Sequence, residues 1–445
     1  MILGHFVQKV SKQSVVDGVG HIKKYYIPKN QLISINNPLI RNGFKNIKKH
    51  SDPAKAYTIA NTEIKTFIAA STLGHLLDGW MYLSNSFNAL LSGDEATAIH
   101  LAYYAELRSA MSILATEGIG VFDKKHFGLI NSSSSEVFKY SNKQGPNRGA
   151  THQFVWTAME KWSNSAFKPN ADILKTFTVR GLDFYELTEF FHPTTAGSTF
   201  LTVSTIKEWL KDWCFDIKSY RIDRETRNNV SYRPQRMQNF NDFIDFENII
   251  KELSNFWTII SPSTTDRFSL LDTYLLRRLY NTIYGRLSPQ EPLSDLIDNA
   301  FQQQGAYDAS TIRLLNANPL NDPMIFQYAQ IQKTTALSII SRATLLLRVS
   351  IGLVSQIYKA ANVDKNDLDF VWNNYGIDNG FWSQGNQPLD FNKLWTDVQP
   401  TFTDLINDMT IPGNTNDMFS IRDRSSSTIL QLSQINRACL WGLNF

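Results

Sequence analysis

The stretch from Ser92 to Leu114, SGDEATAIHLAYYAELRSAMSIL, decides the fold class. Ser92, Gly93 and Asp94 break one helical pattern and cap the next, because a short oxygen-bearing side chain satisfies the amides left open in a first turn. Beyond the cap, Ala98, Leu101, Ala102, Ala105, Ala110 and Leu114 recur at helical spacing and make one apolar stripe. Upstream, the apolar positions from Ala56 to Leu91 repeat in the same way, and downstream Gly118 and Gly120 stop the pattern. Further helical patterns over 152–165, 171–192, 199–228, 239–259, 268–286, 291–303, 323–361, 391–409 and 423–438 predict an all-α, mostly helical protein. Residues 1–45 read as a short mixed segment in which Leu32-Ile33-Ser34-Ile35 is the best strand run. Residues 131–151, rich in Ser, Asn, Gly and Lys, read as a long surface loop, and residues 371–390 as a packed irregular one. No repeat of fixed period is present. The chain divides on this reading into a basic N-terminal segment (1–55), a helical domain (56–240) and a C-terminal helical domain (241–445).

A chain of 445 residues with 42% hydrophobic and 19% charged residues is long and apolar enough to bury a real core. Cys214 and Cys439 lack CxxC or Cys-His spacing, which argues against a structural zinc site or a disulfide framework and makes a reducing cytoplasm the expected home. Met1 to Gln13 has no apolar run of signal-peptide length, and the longest apolar stretch, 335–358, is broken by Arg342 and Arg348. Neither export nor a membrane partner is expected, and nothing in the pattern calls for a cofactor.

Charge is distributed unevenly. Residues 1–60 hold ten Lys or Arg against Asp17 and Asp52, a balance of +8, whereas 361–418 hold nine Asp against Lys365 and Lys393, a balance of −7. The two ends either dock on each other or meet outside partners. All eight histidines lie at or before His192, so imidazole chemistry must come from that part of the chain.

Lys218, Arg221, Arg224 and Arg227 recur at every third position and run into Arg227-Asn228-Asn229-Val230-Ser231-Tyr232-Arg233-Pro234. Each three-residue step on a helix turns the side chain by about 60°, so these cations trace a shallow spiral suited to an anion. The plain alternative is a solvated face with Asp216, Asp223 and Glu225 as partners. Pro234 pushes Arg233 out of the helical region and leaves Asn228 to Tyr232 in the last turn.

The helix His100-Leu101-Ala102-Tyr103-Tyr104-Ala105-Glu106-Leu107-Arg108-Ser109-Ala110, taken with the Arg227 to Pro234 cluster, resembles the HEPN superfamily and within it the YaaC-like proteins, over about residues 60–240. The resemblance implies a HEPN-like helical bundle whose two motif helices pack together, often as a homodimer. It further implies metal-independent ribonuclease or RNA-binding activity of prokaryotic defence or toxin systems. The family pattern is an Arg, a polar residue and a His four to six residues after the Arg, which here falls on Arg227, Asn228 and Tyr232, with Tyr in place of His. A tyrosine with a pKa near 10 is a poor general base at neutral pH. On this reading Arg227 and Asn228 sit at the phosphate, Tyr232, on the same helical face as Asn228 and within reach of a hydrogen bond to it, orients, and Lys218, Arg221, Arg224 and Arg233 steer nucleic acid. Arg148 and His152 sit at the mouth of another helix, where amides favour phosphate, although Thr151 as a cap with His152 exposed in the first turn is the simpler reading. His100 reads as a satisfied polar group. Tyr104, Glu106 and Arg108 are supporting candidates, and Glu106 and Arg108, two apart, do not face each other and each need a partner from another helix.

Three functional readings remain open: nuclease, RNA-binding protein without cleavage, and a non-catalytic scaffold for a partner protein or nucleic acid. No P-loop, HExxH or paired-carboxylate nuclease pattern occurs, and Asp364, Asp367 and Asp369 read as a helix start, since the glycine and distal Glu of a calcium loop are absent.

Overall fold

The computed structural model describes residues 3–443 except 53, 123–124, 139–149, 165–169, 190–196, 214–216, 233–244, 288–290, 319–321 and 332–333. Four helices occupy the N-terminal segment: α1 (Leu3–Lys9), α2 (Lys12–Ile22), α3 (Tyr26–Lys29) and α4 (Pro38–His50). This corrects the mixed segment expected there. Residues 32–35 form bends and a turn, with Leu32 and Ile33 packed sideways on the helical core, because so short a run becomes a strand only where it is paired.

The two long helices expected around Ser92 are α5 (Asn61–Leu91) and α6 (Glu95–Thr116). Between them Gly93 adopts φ +75°, and the Asp94 side chain accepts from the Thr97 amide at 3.0 Å. An antiparallel sheet follows in the order β1 (Ile119–Gly120), β2 (His126–Asn131), β3 (Ser134–Phe138). The expected surface loop therefore starts too early. Asn131 accepts from the Ser133 amide at 2.9 Å and turns the chain back, so the Ser-rich run is a hairpin tip feeding Val137 and Phe138 into a strand; 139–149 lie outside the described residues.

Next come α7 (Thr151–Ser163), α8 (Asn170–Leu174), β4 (Thr178–Val179), β5 (Leu182–Asp183) and α9 (Phe184–Glu189). The helix expected over 171–192 is thus interrupted by a two-residue hairpin. Arg180 (φ +58°) and Gly181 (φ +79°) have the left-handed geometry such turns demand, and both amides donate to the Asp266 carboxylate at 2.9 and 3.0 Å. The pattern over 199–228 resolves into α10 (Gly197–Trp213) and α11 (Ile217–Tyr232). After α12 (Phe246–Ile259), α13 (Ser269–Leu287), α14 (Leu293–Gln303) and α15 (Ala309–Leu315), the pattern over 323–361 becomes α16 (Met324–Gln330) and α17 (Ala336–Ala360). Thr335 makes that break by accepting from the Ser338 amide at 3.2 Å. The C-terminal helices are α18 (Asp369–Asp378), α19 (Lys393–Met409), α20 (Met418–Ser433) and α21 (Ala438–Gly442). Asp364 does start a helical turn, accepting from the Asn366 amide at 2.8 Å. α18 takes up the first part of the expected irregular loop.

The protein is mostly helical, as its periodicity predicts. Its buried apolar side chains form one continuous cluster from Leu3 to Leu443, so residues on both sides of position 240 share a core. At its centre α17 packs along α6 and α5. Gly79 of α5 permits the approach: a Cβ there would stand 2.8 Å from Leu347 Cδ2 and 3.5 Å from the Ala105 carbonyl. By length and composition α17 could cross a membrane, but 94% of its apolar window is buried inside the protein. Its arginines are paired internally. Arg348 donates to Asp272 at 2.9 and 2.6 Å and to the Thr176 carbonyl at 2.8 Å, with its guanidinium against Phe177 and Phe268.

Gly352, one turn on, brings Thr176 within reach of Arg348, since a Cβ at 352 would come within 2.3 Å of the Thr176 Cβ. Gly352→Ala gains helix propensity of up to about 1 kcal/mol but overpacks the site by about 1–3 kcal/mol. The expected net result is a lower thermal unfolding midpoint, read by circular dichroism.

Candidate functional site

α11 lies across α6 and α7. Its buried stripe is Tyr220, Asp223 and Arg227, at 0, 0 and 8% exposure. Three steps of about 60° carry the basic spiral half-way round the helix. Lys218 and Arg221 therefore face outward while Arg227 faces in. Arg221 pairs with Glu160 of α7 at 3.2 Å, and Arg224 is half-buried.

The two motif segments do meet. The Arg227 guanidinium lies 5.2 Å from the Tyr103 ring centroid and 5.4 Å from that of Tyr104, where the ring faces attract a cation. Among the described residues its buried Nε has no hydrogen-bond partner. Tyr104 also stacks on Tyr82 and sits 5.0 Å from the His100 ring. Ser231 Oγ and His100 Nδ1 are 2.7 Å apart, so half-buried His100 is the satisfied polar group expected.

His152 enters from α7. The reading of His152 as merely exposed fails, and so does Thr151 as the cap: Ala150 holds the N-cap position without a side-chain bond, and half-buried His152 faces Tyr103. Hydrogen-bond direction follows from chemistry. Trp156 Nε1 can only donate, and it donates to the Tyr103 hydroxyl at 3.2 Å; that hydroxyl is then free to donate to His152 Nδ1 at 2.9 Å. The proton of neutral His152 is thereby placed on Nε2. Burial, followed by the charges of Arg227 and Arg224, lowers the His152 pKa to about 4, and the same causes, burial and then Arg227, lower that of His100. Trp156 is itself fixed by stacking on Tyr220 at 4.4 Å.

Tyr232 is not part of this cluster. It is 81% exposed, and among the described residues no hydrogen bond joins it to half-buried Asn228, so the orienting role expected from their spacing is not realised. Arg148 and Arg233 lie outside the described residues. Arg108 and Glu106 each find partners on other helices, as their spacing requires. Arg108 donates to His75 Nδ1 at 3.0 Å and stands 3.6 Å from Asp78, both on α5.

Glu106 faces the opposite way, into a buried cluster with Asp223 of α11 and Arg342 of α17. Asp223, expected to lie on a solvated face, is instead the direct partner of Arg342, with contacts of 2.7 and 2.6 Å; Glu106 stands 3.6 Å from that guanidinium. As a carboxylate Glu106 would have, among the described residues, no donor within hydrogen-bond distance on either oxygen, the Arg342 Nε standing 3.6 Å away. As an acid it donates to Asp223. Burial drives its pKa well above the usual range, the Asp223 charge adds to the rise, and Arg342 opposes it. Asp223 is the ion of the pair and Glu106 the proton holder. The clue that sequence reasoning passed over was Arg342 itself, because a cation within an apolar helix demands a buried anion. Tyr103, Trp156, Tyr220 and Ser231 carried no motif signal of their own.

Among the described residues no three His, Cys, Asp or Glu side chains are grouped so as to hold a metal ion.

The buried acid gives a pH test. Below the ordinary Glu value of 4.5 both folded and unfolded chains hold the Glu106 proton; above it the unfolded chain loses the proton first, so stability falls as pH rises towards the raised folded value. Glu106→Gln, which mimics the protonated acid, is expected to flatten that decline in midpoints measured from pH 5 to 8. Asp223→Asn strands Arg342 and should cost about 3–5 kcal/mol in urea unfolding.

No family model, curated protein or solved structure matches this chain.

Proposed function

We propose that this protein acts on RNA as a HEPN-like protein of a prokaryotic defence or toxin system, with Arg227 and Arg224 at the phosphate and His152 in place of the histidine missing from α11. One observation carries the reading: α6, α7 and α11 bring Tyr103, His152 and Arg227 into a single cluster. Burial, and after it the charges of Arg227 and Arg224, lowers the His152 pKa to about 4, and a phosphate between the arginines offsets their part of that shift and raises it again. In the reaction the RNA 2′-oxygen attacks phosphorus and the bond to the 5′-oxygen breaks. An imidazole takes the 2′-hydroxyl proton and a proton is returned to the 5′-oxygen. His152, protonated once phosphate is bound, is assigned the return of a proton from Nε2 to the 5′-oxygen, because its Nδ1 accepts from Tyr103, and removal of the 2′-hydroxyl proton is assigned to His100, the second imidazole that feels Arg227. Exposed Lys218 and Arg221 steer the strand electrostatically. Cytoplasmic location and assembly as a homodimer belong to the same proposal.

The second reading, a scaffold that binds RNA or a partner protein without cleaving, is favoured by the burial of Arg227 to 8% exposure and by its Nε, which has no partner among the described residues.

Labelled RNA incubated with purified protein in EDTA separates them. Cleavage is expected from wild type and a loss of about 10²–10⁴-fold from His152→Gln at an unchanged thermal midpoint. In parallel, the His152 pKa measured by NMR should rise from about 4 when an oligonucleotide is added. Salt-sensitive RNA binding with no cleavage by either protein supports the scaffold reading. Absence of both cleavage and binding overturns the RNA reading.

A further inference from the structure

A pocket of about 350 Å³ lies away from the α6, α7 and α11 cluster, between α4, α5 and the connection from β1 to β2. This is within the size range of small-molecule sites. Its walls are mainly apolar: Leu39, Phe44 and Ile47 from α4, Phe67 from α5, and Phe122, whose ring stacks on Phe67 at 5.1 Å. Its polar groups of formal charge are both cationic, Lys48 and Lys125. Among the described residues neither is in an ion pair, and Asp52, whose charge Lys125 feels, is paired with Lys55 at 3.4 Å.

α4 itself is unusual for a surface helix. Phe44 is 64% and Ile40 50% exposed, beside exposed Arg41, Lys45 and Lys48. A nucleic-acid surface needs the cations but has no use for the apolar cavity. An acidic peptide would not fill a phenylalanine-lined cavity with charge. The combination suits a molecule with an apolar chain and one anionic end.

We infer that this pocket binds a free long-chain carboxylate, with the chain between Phe44, Phe67 and Phe122 and the carboxylate between Lys48 and Lys125. The apolar walls form a concave cleft with residues from α4, from α5 and Phe122, and a cleft suits a single chain better than the surface of a bilayer does. Gly43 sits in the wall with nothing within 4 Å of where its Cβ would be, and its φ is not in the left-handed region. A side chain at 43 therefore stands in open space at the pocket wall and can be enlarged without displacing the fold.

Calorimetric titration of the full chain with dodecanoate below its micelle concentration tests this, using dodecanol as the neutral analogue. Saturable binding at one site is expected. Gly43→Trp should weaken it by about a hundredfold, and the double reversal Lys48→Glu with Lys125→Glu should weaken dodecanoate by about tenfold while sparing dodecanol. Each variant is checked for an unchanged thermal midpoint, with Gly43→Leu as a second filling variant should tryptophan perturb the fold. No dodecanoate binding, or undiminished binding by a folded filling variant, overturns the proposal. So does binding only to anionic phosphatidylglycerol vesicles, which would make α4 a membrane-surface helix.

Discussion

The contact on which the arrangement turns is the buried Arg342–Asp223 pair with Glu106 beside it. It ties α17, a long and largely buried helix of the C-terminal half, to α11 and α6 of the N-terminal half. Such a pair contributes little net stability, because removing two charges from water costs about as much as their attraction returns. What it supplies is position. Asp223 has to face Arg342, and Arg227, one turn later on α11, is carried to the same face and onto Tyr103 and Tyr104. Glu106 keeps its proton and so avoids a second uncompensated charge.

That placement explains the electrostatics of the cluster above it. A guanidinium held against aromatic faces keeps its full charge while losing water, so it acts strongly on both imidazoles nearby. The Trp156, Tyr103 and His152 chain is ordered because its first member can only donate. Tyr103, with its hydroxyl between Trp156 and His152 and its ring under Arg227, is the residue through which all three helices communicate.

The charge asymmetry between the chain ends is resolved in part by docking. Lys23 pairs with Asp367 at 2.7 Å and its ammonium reaches the Asn362 carbonyl at 2.6 Å. Lys9 and Lys12 are answered by Glu136 and Asp172. Among the described residues the cations of α4 are in no ion pair, and there Ile40 and Phe44 also stay exposed, so this part of the asymmetry coincides with the pocket.

Much of this was legible from residues alone. The helical class, the cap at Asp94, the helical start at Asp364 and the need of Glu106 and Arg108 for partners on other helices all follow from local rules of spacing and hydrogen bonding. Such rules failed where a distant group acted: Asp266 holds the turn at Arg180-Gly181 that splits an apparent helix, and a strand-like run at 32–35 finds no pairing edge. The sequence by itself determined the relative angles of Lys218, Arg221, Arg224 and Arg227, since the helical repeat is intrinsic to the backbone. Only the tertiary structure decided which of them turns inward, because the absolute rotation of α11 is set by a carboxylate meeting an arginine 119 residues further along the chain.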